Sequence, residues 1–86
     1  GEAALELGLL QAYQGRRAEA RRSLQLVMLG GQDAATAADL LRAGRAARAL
    51  GRFEDANDLF REAVSRVPDD VEVNAAWGEL FLDKYN

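Results

Sequence analysis

Apolar residues recur along this chain at three- and four-residue intervals, and glycines or a lone proline interrupt the rhythm. That spacing places an apolar stripe along one side of a helix and predicts five helices. The first runs from Ala3 to Gln14 and ends at Gly15, which can take the left-handed cap conformation. The second runs from Arg17 to Leu29, with Ala20, Leu24 and Val27 as its buried stripe, and Gly30-Gly31 ends it. Asp33 or Thr36 caps the third, and Asp39 completes a capping-box pattern after Thr36. This helix runs to Leu50 and stops at Gly51. The fourth spans Phe53 to Val67, with Phe53, Ala56, Leu59, Phe60, Ala63, Val64 and Val67 on one face. Glu54 and Asp55 occupy its first turn, where the helix dipole favours them. Pro68 cannot continue it and biases Val67 away from helical geometry. The fifth starts after Asp69 or Asp70 and carries Val73, Ala76, Trp77, Leu80, Phe81 and Tyr85. Short connections imply antiparallel neighbours.

The pattern also repeats at longer range. Leu7-Gly8, Gly15, Ala20 and Leu24 return 36 residues later as Ala43-Gly44, Gly51, Ala56 and Phe60. A further start, Trp77-Gly78, lies 34 residues after Ala43-Gly44. A fixed period of this size means a stack of like supersecondary units. Gly8, Ala20, Gly44 and Ala56 are small where two helices of a hairpin approach, while Leu24 and Phe60 fill the space between units. A generic bundle of an alanine-rich chain does not explain spacing kept across three units.

These residues resemble the tetratricopeptide repeat, whose pattern is W-x2-L-G-x2-Y, A-x3-F and P. The second unit reads Leu40-x2-Ala43-Gly44-x2-Ala47, Ala56-x3-Phe60, Pro68. The first reads Ala4-x2-Leu7-Gly8-x2-Gln11, Ala20-x3-Leu24; Gln11 replaces the usual aromatic and Gln32 the closing proline. The third reads Asn74-x2-Trp77-Gly78-x2-Phe81. The resemblance implies an all-α, right-handed solenoid of antiparallel helix hairpins. Residues 1–36 form one repeat, 37–70 a second and 71–86 half of a third. The start at Gly1 and the half unit at the end lead to the expectation of a piece of a longer protein.

The resemblance further implies a protein–protein interaction scaffold, in which the first helix of each unit lines a concave groove for a peptide or helix of a partner. The first unit contributes Glu2, Leu5, Glu6, Leu9, Ala12 and Tyr13. The second contributes Ala38, Leu41, Arg42, Arg45, Arg48 and Ala49. The third contributes Glu72, Ala75, Ala76, Glu79, Leu82 and Asp83. Within these sets Leu5, Leu9, Tyr13, Arg42, Arg45, Arg48 and Glu79 are the candidate partner contacts. One subset of the family clamps the C-terminal carboxylate of chaperones. Its clamp positions fall here on Leu5, Leu9, Arg42, Glu72 and Ala76, where only Arg42 attracts a carboxylate and Glu72 repels one, so that ligand is rejected. The alternative is a non-catalytic auxiliary or spacer domain of a larger protein or enzyme.

Charge adds one feature. Arg42, Arg45, Arg48 and Arg52 fall on one face of the third helix. Functionally they form a ridge that grips an acidic peptide or phosphate, since guanidinium binds such groups bidentately. The other reading is a solvated face laced with ion pairs, from Asp39 on the same helix and from Glu6 and Glu79 on the flanking units, which is the commoner fate of charged helix faces. Arg16, Arg17, Arg21 and Arg22 form a second basic cluster, away from the groove.

Composition removes other classes. With no cysteine or histidine there is no thiol nucleophile, no disulfide, and neither of the common zinc ligands. No Ser-His-Asp set, phosphate-cradling glycine loop or metal motif is present, so neither enzyme activity nor a cofactor is expected. A net charge of −3 argues against nucleic acid as the partner, and no apolar run is long enough to span a membrane. A soluble, cytoplasmic setting is favoured. The fifth helix reads as half of a hairpin, and its apolar strip is open to the missing helix, a second chain or a copy of itself.

Overall fold

A computed structural model describes residues 2–34 and 36–85. Five helices account for nearly all of them: α1 Glu2–Tyr13, α2 Arg17–Leu29, α3 Ala37–Ala49, α4 Phe53–Arg66 and α5 Val71–Tyr85. Among the described residues there is no strand. Hairpins α1–α2 and α3–α4 stack side by side, and α5 adds the first helix of another, giving an α-solenoid.

The two hairpin turns close in the same way. Gly15 and Gly51 take φ of 78° and 76°, a region open to glycine at no steric cost. The N–H groups of Arg16 and Arg52 then return to the carbonyls of Gln11 and Ala47, each at 2.9 Å. This satisfies helix-end carbonyls that would otherwise be orphaned.

The helix starts and stops follow local chemistry. The Thr36 hydroxyl accepts from the Asp39 N–H at 3.1 Å and starts α3. The Asp70 carboxylate accepts from the Val73 N–H at 2.9 Å and starts α5. Asn74 donates to the carbonyls of Pro68 and Asp70, pinning the α4–α5 turn. Helix α2 stops at Leu29, as expected, and Gly30–Asp33 follows it as a short 3₁₀ turn. Gly31 is there for space, because a Cβ on it would lie 2.6 Å from the Ala43 Cβ.

The core follows the small-beside-large pattern. Phe60 is fully buried and its ring lies over Gly44, where a Cβ would meet it at 2.4 Å; Leu24 stands over Gly8 in the same way. These large residues therefore lock the inside of each hairpin as well as reaching the next unit. Phe60 clusters with Val73, Ala76 and Leu80 of α5, and Leu24 with Ala46 of α3. Gln11 is buried and accepts a 2.7 Å hydrogen bond from the Ser23 hydroxyl. A polar clasp thus joins α1 to α2 where the second unit has Ala47 and Leu59.

Candidate functional site

The first helices of the three units are neighbours, α1 against α3 and α3 against α5, and their residues share one surface. A cavity of about 440 Å³ opens there, lined by Glu2, Leu5, Glu6 and Leu9 of α1, Ala38, Leu41, Arg42 and Arg45 of α3, and Glu72 of α5. Leu5, Leu9, Ala38 and Leu41 give it an apolar floor, and the charged residues form its rim. A second hollow of about 300 Å³ lies toward the far end, lined by Leu9, Arg45, Arg48, Ala49 and Asp83.

Most of the expected contact residues therefore meet on one surface, though not all as expected. Leu5 and Leu41 are each 5% exposed and belong to the core clusters, so they show only an edge to the cavity, and Ala76, also expected there, is buried in the core and lines neither hollow. Tyr13 is 91% exposed and lines neither hollow. Arg52 leaves the ridge altogether. Gly51 turns the chain before it, and Arg52 pairs with Asp55 of α4 at 2.6 Å. Its place on the α3 face was an extrapolation of the helix past the residue that ends it.

The ridge arginines differ in how firmly they are held. Arg42 donates to Asp39 one turn earlier. The Thr36 hydroxyl, and then Arg42, hold the Asp39 carboxyl below the usual carboxylate range. Arg45 meets Glu72 of α5 at 3.6 Å, with both side chains well exposed. Arg48 is engaged most fully. Its Nε and Nη2 take the Asp83 carboxylate as a fork, Nη2–Oδ1 at 2.9 Å, and its Nη1 donates to Glu79 at 3.1 Å. The hydrogen bonds from Arg48 hold Asp83 below the usual range, and those to Asp83 raise Arg48 above its own.

Glu79 thus meets the ridge as expected, but Glu6 lines the cavity without an arginine partner among the described residues. Asp83 was legible only as a groove residue. Glu79 and Asp83 lie four residues apart on one face of α5, a signal for a shared cation, but the spacing does not say which one.

Among the described residues no group of acidic side chains could hold a metal ion, and no helix is long and apolar enough to cross a membrane. A family model described as Tetratricopeptide repeat matches residues 37–80, more than half of the chain. No curated protein and no solved structure gives a significant match.

Proposed function

The chain belongs to the tetratricopeptide repeat family, and on that premise we propose that its concave face takes a peptide or helical segment of a partner protein. The family generally mediates protein–protein interaction and is generally non-catalytic. The cavity between α1 and α3 carries the reading, because it combines an apolar floor with arginines on its rim. Apolar side chains of the partner pack over Leu9, beside the edges that Leu5 and Leu41 show, and an acidic residue meets Arg42 or Arg45. Displacing Glu72 from Arg45 costs little, since exposed ion pairs are worth only about 0–1 kcal/mol. Arg48 is the poorer anchor: a partner carboxylate would have to replace two acids, one of them held as a fork.

The test is selection from a displayed peptide library on the immobilised chain, followed by titration of the enriched peptides. Enriched peptides should pair apolar residues with an acidic one. Arg45→Glu should weaken them by about tenfold or more, and Arg48→Ala by less. Enrichment that ignores both Leu9→Glu and Arg45→Glu would move the binding surface elsewhere. One observation favours the second reading, a spacer without a ligand: the α3–α5 half of the face is already bridged by ion pairs of the chain itself. No enrichment over a scrambled control would support it.

A further inference from the structure

The cavity between α1 and α3 has walls of opposite charge. Glu2 and Glu6 line it from α1, and Arg42 and Arg45 line it from α3. Among the described residues no ion pair crosses it. Arg42 turns to Asp39 of its own helix and Arg45 to Glu72 of α5, while neither Glu2 nor Glu6 has a cationic partner. At the α3–α5 junction, by contrast, opposite charges on the two helices meet. Glu2 and Glu6 are four residues apart on one helix, a spacing at which like charges repel. Leu9, three residues after Glu6, lines the same cavity and is 42% exposed, which makes it the apolar seat.

We propose that the partner segment taken by this surface carries both signs of charge, an inference that rests on the peptide-binding reading of the cavity. An apolar residue of the segment sits on Leu9, an acidic one meets Arg42 or Arg45, and a lysine or arginine meets Glu2 or Glu6. The cation relieves the repulsion between the two acids. The segment thereby makes across the cavity the bridge that the chain itself does not make. Neighbouring helix axes lie about 8–10 Å apart, so the two charges stand about three residues apart in an extended segment and about two turns apart in a helical one. A purely acidic segment fits less well. It meets three carboxylates on the rim, Glu2, Glu6 and Glu72, and the two arginines that attract it already have partners.

The test is a displayed peptide library with a central leucine fixed and the three residues on each side drawn from Lys, Glu and Gln. The immobilised chain should enrich peptides with Lys on one side and Glu on the other over those with Glu on both. Glu6→Gln should weaken an enriched Lys/Glu peptide by about twofold to fivefold, the scale of an exposed ion pair, and leave its Gln/Glu analogue unchanged. Glu2→Lys with Glu6→Lys should shift enrichment to Glu on both sides, and raised salt should shrink the difference. Enrichment of Leu with Glu alone, with Glu6→Gln having no effect, would overturn the doubly charged segment and leave the peptide-binding reading standing. No enrichment, or enrichment indifferent to both Leu9→Glu and Arg45→Glu, would overturn both.

Discussion

The two junctions along the surface shared by α1, α3 and α5 use equivalent positions, yet among the described residues ion pairs bridge only the one between α3 and α5. Arg48 of α3 corresponds to Ala12 of α1, and Asp83 of α5 corresponds to Ala49 of α3. At the α3–α5 junction the pair is Arg48 with Asp83, joined by a fork and backed by Glu79. At the α1–α3 junction the same places hold two alanines, Ala12 and Ala49, and a hollow of about 300 Å³ reaches Ala49. A repeat of one backbone form thus becomes a groove or a strut according to a few long side chains. The cost of the strut is small in volume and large in access.

The comparison breaks most severely if the shared frame is removed. Phe60→Ala should cost about 3–5 kcal/mol, as large aromatic truncations in cores do. Because Phe60 locks the α3–α4 hairpin and clusters with α5, both junctions should melt in one urea transition. A surviving folded half would show that they are independent.

A glycine series sharpens it next. Gly44→Ala should destabilise by about 1–3 kcal/mol, because the rigid Phe60 ring cannot clear the added methyl group. Gly8→Ala should cost less, since Leu24 can change rotamer. Gly78→Ala should have the opposite sign and stabilise by about 0.5–1 kcal/mol, as it fills no occupied space. Thermal and urea melts of the three variants measure the order.

Side-chain transfer has a smaller effect on stability and a direct one on access. Arg48→Ala should speed hydrogen exchange in α5 while leaving α2 unchanged. The double variant Ala12→Arg with Ala49→Asp should bridge the open junction and abolish binding of the selected peptides.

The smallest effect is on acid sensitivity. The folded state lowers the Asp83 pKa through Arg48. Its contribution is therefore complete above the ordinary aspartate range and lost as pH falls through the lowered value. A carboxyl-carbon NMR titration should place the Asp83 midpoint below that range, and Arg48→Ala should return it there.

The helices and turns could be read from the chain because their causes are local. Thr36, Asp70, Gly15, Gly51 and Pro68 act within a few residues of themselves, and the recurrence of Gly8–Leu24 as Gly44–Phe60 carried the solenoid with them. The 3₁₀ turn at Gly30–Asp33 escaped, because Gly31 answers to Ala43 and Leu59 rather than to its neighbours. Arg52 escaped for the converse reason: Gly51 turned the chain before the arginine face was complete. The groove was legible as a set of positions, but its charge state was not. Arg48 finds Glu79 and Asp83 at 31 and 35 residues' distance, and Arg45 finds Glu72 only because Val73, Ala76 and Leu80 seat α5 in one rotation against the core. Periodicity and capping determined which segments are helices and how they are joined. Only the packing of α5 on its neighbours decided which arginines are occupied, because ion pairing depends on the rotation of one helix against another, and that rotation is set by the core.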